Sequence, residues 1–352
     1  MTNHLKLITG APGWLGTRLV RVLAEGLPDL PELTDPKAIG AIRCLVAPGA
    51  DAGVLKAVKG PVDARPGDLR NEEAVRSFCA GAEGATLFHC AGVIHPTEGV
   101  KQFYEVNVEG ARRLLRCAEA AGVRRAVIVS SNSPIGCNPS RDRLFDEDSP
   151  YHPYMNYGRS KMRMEQAVHE MMRRGGMELV IIRPPWFYGP DQPPRQSLFF
   201  TMIKDGKAPI VGDGNNRRSM AYVDNICQGL LLCERAPAAN GRTYWIADRE
   251  PYTMNRIVDT IERLLETEFG FRVAHKRMRL PHVAGQIAQF VDWGLQKAGR
   301  YQQKIHVLSE MNKSIACSVA RAERELGYRP AVALEEGMRR SIRWCLDNGI
   351  RI

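Results

Sequence analysis

Tyr157 and Lys161 lie four residues apart in Tyr157-Gly158-Arg159-Ser160-Lys161. On a helix, that spacing puts both side chains on one face. An ammonium group beside a phenol favours the phenolate and draws the tyrosine pKa towards working pH. Such a tyrosine can exchange a proton with a hydroxyl or a carbonyl. Upstream, an apolar run ends in Ser130-Ser131-Asn132-Ser133, where a hydroxyl could orient the reacting oxygen. A second cluster is Thr9-Gly10-Ala11-Pro12-Gly13-Trp14-Leu15-Gly16. Glycines at 10, 13 and 16 permit a tight turn, close approach of backbone N–H groups to a pyrophosphate, and close helix–strand packing. A helix opening there would point its N-terminus at the anion.

These groups need a scaffold that brings the ends of distant segments together. Leu5–Thr9 reads as a strand and Gly13–Gly26 as a helix. A Pro-rich loop (Pro28, Pro31, Pro36) leads to a strand over Ile39–Val46. Asn71–Cys79, Val100–Ala121 and Tyr154–Arg174 read as helices, and Ala85–Cys90, Arg125–Ser130 and Leu179–Arg183 as strands. Strands apolar throughout, alternating with helices, predict a parallel sheet covered on both faces. The fold class is therefore α/β, a Rossmann doubly wound parallel sheet with a smaller C-terminal substrate-binding region. We place the sheet domain at 1–185 and the substrate-binding region at 186–352, with part of 220–250 returning to the sheet. Helices are expected near Leu198–Asp205, Val223–Glu234, Met254–Glu268 and Leu334–Asn348. Apolar residues at 284, 287, 288, 291, 295 and 298 mark one helical face, read as packing on the core; a pocket lid or a membrane-surface contact is the alternative.

Bulk properties narrow the classes. No apolar run among the 352 residues approaches the roughly 20 residues a spanning helix needs. The N-terminus lacks a signal-peptide pattern, so a soluble, cytoplasmic protein is expected. The nine cysteines include no Cys-x-x-Cys and read as reduced, mostly buried small hydrophobes. No metal spacing is visible. The net charge of +10 comes without a Lys/Arg block interleaved with aromatics, which argues against nucleic acid and for anionic small molecules.

With glycines spaced G-x-x-G-x-x-G and a later Tyr-x-x-x-Lys, the chain resembles the extended short-chain dehydrogenase/reductases of the NAD-dependent epimerase/dehydratase family. The resemblance spans nearly the whole chain. It implies one NAD or NADP per chain, held by Gly10, Gly13, Trp14, Leu15 and Gly16. Asp68 and Leu69 match the adenine site. His89, Ala91 and Gly92 match the small-residue stretch lining the cofactor, and Asn107 matches a residue supporting the active-site backbone. Tyr157, Lys161 and Pro184 complete the cofactor set. The same resemblance selects Ser131 as the catalytic serine beside Tyr157 and Lys161, with Ser130 and Ser133 in reserve. The end of the second strand, Val46-Ala47-Pro48, carries neither the acid of NAD enzymes nor an arginine for a 2′-phosphate. Arg43 or Lys56 could assist NADP.

For substrate, Arg218 aligns with an arginine that clamps the diphosphate in nucleotide-sugar members, a natural task for a guanidinium. Ser131, Asn132, Ser133 and Tyr157 would complete the substrate contacts. Asn132-Ser133 replaces the Asp-Glu pair of 4,6-dehydratases, so dehydration is not expected. Val223-Asp224-Asn225 and Arg183-Pro184-Pro185-Trp186 instead resemble hydroxysteroid and flavonol relatives. Three functions are open. The first is a nucleotide-sugar epimerase or oxidoreductase acting by hydride transfer at a sugar hydroxyl. The second is a dehydrogenase or reductase of a sterol-like or other hydrophobic hydroxy/keto compound. The third is a non-catalytic NAD(P)-binding protein. The resemblance also implies a homodimer through the helices at 100–121 and 154–174.

Overall fold

The computed structural model describes residues 5–36 and 40–352. Seven parallel strands form the central sheet: β1 (Leu5–Thr9), β2 (Ala41–Val46), β3 (Val62–Pro66), β4 (Thr86–His89), β5 (Arg125–Val129), β6 (Glu178–Arg183) and a last strand, Thr243–Trp245. Their spatial order is β3-β2-β1-β4-β5-β6, closed by Thr243–Trp245 beside β6. The order reverses between β1 and β4, and crevices for ligands open at such points outside the carboxyl ends of strands.

Alternation along the strands divides the core between the two faces. Ile8, Phe88, Val127, Val180 and Tyr244 face helices Trp14–Glu25 and Val223–Arg235. Leu7, Leu87, Ala126, Leu179 and Ile181 face Glu72–Cys79, Ala111–Ala120 and Met155–Arg174. Both faces are apolar, as the strand compositions predicted. A further core, with Tyr188, Phe200, Ile257, Leu264 and Ile342, gathers the C-terminal helices. All nine cysteines are free, and six are buried. No helix among the described residues is long and apolar enough to cross a membrane.

Four expectations change. The second strand begins at Ala41; Ile39 lies outside the described residues. Strand β3 was not foreseen, because none of its residues is fully buried and Asp63, Ala64 and Pro66 are exposed, as suits a sheet edge. The helix over 100–121 is interrupted by a π-helical turn at Glu105–Gly110. The helix His282–Lys297 does not present its apolar residues to the core. Only Ala288 of the six marked positions is buried, while Gly285, Asp292 and Gln296 face inward.

One buried ion pair ties the active-site helix to the sheet. Arg183, at the end of β6, donates from Nε to Glu165 Oε1 (3.0 Å) and from Nη2 to Oε2 (2.6 Å). Tyr151 Oη donates to the same carboxylate at 2.8 Å.

Candidate active site

The residues selected from sequence converge where β1, β4 and β5 end. Gly10 follows β1 with φ 89°, a conformation that suits glycine. A Cβ there would lie 2.6 Å from the Ala91 nitrogen, in the turn after β4. A Cβ on Gly16 would lie 2.4 Å from the Gly10 carbonyl oxygen. The helix opening at Trp14 has no side-chain cap, so its first N–H groups are available to an anion. Trp14 Nε1 donates to the Pro190 carbonyl at 2.6 Å, which roofs this turn with the segment after β6. The cradle is thus the shape a dinucleotide pyrophosphate requires. Gly10→Ala is expected to weaken NAD binding at least about tenfold with the cooperative melt retained; isothermal titration and circular dichroism measure the two.

After β4, Gly92 is exposed, and a Cβ on it would meet Lys161 Nζ at 3.3 Å. Asn107 sits in the π-helical turn, a feature often found at functional sites. Its Oδ1 accepts from Val93 N (2.7 Å), and its Nδ2 donates to Val93 O (3.0 Å) and Ser160 Oγ (3.1 Å). It thereby fastens the β4 loop to the helix carrying Tyr157 and Lys161. His89 differs from expectation. It is fully buried, with Nδ1 2.7 Å from Thr9 Oγ1, and burial with the Lys161 charge pushes its pKa down to about 3. It is a neutral part of the floor and its side chain does not line the crevice.

Met155–Arg174 begins with Met155 at φ 51°, an uncommon backbone for a side-chain-bearing residue. Just before it, Tyr154 N donates to Ser133 O (3.1 Å) and His152 N to Pro134 O (3.0 Å). A Cβ on Gly158 would lie 2.5 Å from Ser133 O. The loop after β5 is therefore pressed onto the first turn of this helix, bringing Ser131 to Tyr157. Ser131 and Ser133 are buried with their hydroxyls 3.3 Å apart; Ser131 Oγ also donates to Asn132 Oδ1 at 3.3 Å. Lys161 is 3% exposed and donates from Nζ to Val129 O at 3.0 Å.

The electrostatics correct one expectation. Burial pushes the Tyr157 phenol up to about 12, outweighing the lowering effect of its hydrogen bond with Ser131. Burial also pulls Lys161 down to about 8, against the raising effects of Glu165 and Cys90. Lys161 thus keeps its proton at neutral pH, while desolvation dominates at Tyr157.

At the adenine end, Asp68 is half-buried and already paired with Arg70 (2.9 Å). Burial raises its pKa, but the Arg70 hydrogen bonds outweigh that and hold it below the usual carboxylate range. Leu69 is buried beneath Gly110, and Pro184 is buried just after β6. Arg43 is already engaged, its Nη1 donating to Phe78 O (2.9 Å) and Ala80 O (2.7 Å).

Arg218 stands on the substrate side. Its Nη1 reaches Glu310 O (3.3 Å) and Lys313 O (3.5 Å), and the guanidinium lies 5.8 Å from the Trp186 ring centre. Sequence reasoning missed the wall beside Tyr157. Phe103 lies 5.8 Å from Tyr157 and 5.7 Å from Tyr301, ring centre to ring centre, and Tyr301 Oη is 2.7 Å from His95 Nδ1. Asn156, next to Tyr157, donates from its N and its Nδ2 to Gln296 Oε1, both at 3.0 Å. The polar pair Asp292 and Gln296, four residues apart within an apolar helix, was the available signal.

A family model described as the NAD dependent epimerase/dehydratase family matches residues 6–247. An uncharacterized protein of Sinorhizobium fredii, y4nL, is 51% identical over 98% of this chain and 96% of its own length. The 3beta-hydroxysteroid-dehydrogenase/decarboxylase isoform 1 of Arabidopsis thaliana is 28% identical over 97% of this chain and 79% of its own. The crystal structure of DesIV, a dTDP-glucose 4,6-dehydratase of Streptomyces venezuelae with NAD and TYD bound, is 26% identical, with a TM-score of 0.74 over 98% of this chain and 97% of that one.

Proposed function

The chain belongs to the NAD-dependent epimerase/dehydratase family, enzymes of oxidoreductase type, and we propose that it acts on a diphosphate-linked sugar, oxidising a ring hydroxyl and reducing the ketone again in one active site. The observation that carries this reading is the setting of Arg218. Among the described residues its hydrogen bonds come from Nη1 alone. Nε and Nη2 are left to grip a phosphate in two-pronged fashion.

Gly10, Gly13, Gly16, Gly92 and Lys161 would hold NAD, which when bound would supply hydride acceptance and return. The protein supplies the proton chemistry. Tyr157 Oη takes the proton of the substrate hydroxyl in the oxidative half and restores it in the reductive half. Lys161 follows Tyr157 by one helical turn, and an ammonium on that face favours the phenolate this demands. Ser131 Oγ orients the substrate oxygen, and Asn107 holds the β4 loop and the catalytic helix in register. Asn132 and Ser133 carry no charge for removing a ring proton, which favours epimerisation or oxidation over the dehydration named for DesIV. A cytoplasmic homodimer pairing through the helices at 101–120 and 155–174 belongs to the same reading.

A second reading rests on two aromatic pairs, Phe103 with Tyr301 and Trp186 with Phe199: a dehydrogenase or reductase of a hydrophobic hydroxy or keto compound, as the name of the Arabidopsis relative suggests for that protein. Arg218→Ala separates the two. With a nucleoside diphosphate sugar as substrate, KM should rise about tenfold to a hundredfold, the loss of one charge-assisted pair, with kcat little changed. Unchanged KM, together with turnover of hydrophobic ketones, would select the second reading.

A further inference from the structure

The helix His282–Lys297 is built inside out. Its inward stripe is Gly285, Ala288, Asp292 and Gln296, all buried. Its outward face carries Val283 (50% exposed), Ile287 (59%), Phe290 (72%), Val291 (41%) and Trp293 (46%). In helical projection these five span one continuous arc. Phe290 and Trp293 stack at 6.1 Å, so the outward aromatics form a ready-made patch.

The inward polar stripe is fully engaged, so the helix is not simply misplaced. His306 Nδ1 lies 2.7 Å from Asp292 Oδ2, and Gln296 Nε2 donates to both Asp292 oxygens at 3.0 Å. Burial lowers the His306 pKa, but the Asp292 hydrogen bond and the charges of Glu310 and Asp292 outweigh it and leave it raised. Gln296 also holds Asn156 beside Tyr157. The helix is therefore anchored to the catalytic helix through its polar side, and its apolar side is left outward.

Charge says what covers that side. From 272 to 313 the sequence has eight Lys and Arg and two Asp and Glu. Of the two acids, Asp292 is buried and committed to His306 and Gln296. Arg279, Lys297, Arg300 and Lys304, which flank the patch along the chain, are exposed. A second copy meeting the same face about a two-fold axis would set these cations against themselves. Lys297 lies over the Trp293 ring at 5.1 Å, with its charged end at the border of the apolar arc. An apolar arc with aromatics, rimmed by lysine and arginine, fits the boundary between headgroups and acyl chains of an anionic bilayer.

We propose that His282–Lys297 is a membrane-docking helix that seats the protein on anionic lipid, with the helix that carries Tyr157 tied to its inner side through Asn156 and Gln296. The inference is independent of whether the substrate is a sugar diphosphate or a hydrophobic ketone. Docking is in-plane, with Phe290 and Trp293 in the apolar boundary and Lys297 and Arg300 at the headgroups.

Co-sedimentation of the full chain with phosphatidylcholine vesicles, with and without phosphatidylglycerol, tests it. The full chain should bind the anionic vesicles at least about tenfold more tightly than neutral ones, and binding should weaken as added salt shortens the Debye length from about 10 Å to about 3 Å. Phe290→Ser with Trp293→Ser should reduce binding at least about tenfold, and Lys297→Glu with Arg300→Glu should do the same while leaving the apolar arc intact. Size-exclusion elution and melting of each variant report folding; both pairs of positions are exposed, so both variants should fold. Absence of wild-type binding to anionic vesicles overturns the proposal. So does binding that survives both double variants, or a Phe290/Trp293 variant whose only change is from dimer to monomer.

Discussion

Tyr157→Phe is expected to lower kcat by about two to four orders of magnitude on a diphosphate sugar, the usual contribution of a positioned proton-transfer group. The substitution removes Oη alone. The ring keeps its contact with Phe103 at 5.8 Å, and the segment before the helix stays fastened through the Tyr154–Ser133 bond. NAD affinity should therefore change little and the melting temperature should hold. Steady-state kinetics with parallel NAD titration reads this directly. Turnover near the wild-type rate would remove Tyr157 from the mechanism; equal losses in NAD affinity and kcat would make it a binding residue.

Glu165→Gln is expected to cost about 3–5 kcal/mol of stability, the effect of leaving a buried charge unpaired. Arg183 and Glu165 have side chains 3% and 0% exposed. Burial raises the Glu165 pKa, but the Arg183 charge and hydrogen bonds outweigh it and hold it below its ordinary value near 4.5. The sign follows from linkage. A depressed carboxyl pKa stabilises the fold above the unfolded-state value, and that stability is lost only as the pH falls through the folded-state value. The pair should thus persist through mildly acid pH, and the single variant should remove the acid limb. Replacing both partners, Glu165→Leu with Arg183→Met, should recover most of the loss. Urea unfolding measures all three proteins; a single-variant change below about 1 kcal/mol would show that the pair contributes no more than a surface bridge.

The parts of the site legible in sequence are those set by local spacing. Tyr157 and Lys161 share a helix face because they are four residues apart, and Gly10, Gly13 and Gly16 mark a turn because no other residue tolerates its close contacts. The sheet was legible because both faces of its inner strands are covered, which leaves long apolar runs. Strand β3 was hidden because an edge strand needs one apolar face only, and Asp63 and Arg65 interrupt the run. The Tyr301–His95 contact joins residues 206 positions apart, beyond any periodic signal. The helix His282–Lys297 misled because periodicity shows that one face is apolar but not which way that face points. Asp292 and Gln296 decide its direction, since they satisfy each other and Asn156 inside the protein. Tyr157 departed from expectation because desolvation outweighed the lowering effect of its hydrogen bond with Ser131; His89 departed because its side chain is buried against Thr9.

If hydride leaves the substrate and returns to it within one site, as proposed, NAD must stay bound through turnover. Native mass spectrometry of the purified protein, before and after incubation with nucleoside diphosphate sugars, followed by acid release and identification of the nucleotide, tests this most directly. The expected result is about one NAD(H) per chain, retained after turnover, with no net change in its redox state. A protein that purifies without nucleotide, exchanges NADPH or NADH freely and consumes it stoichiometrically would contradict the claim and make the enzyme a net reductase or dehydrogenase.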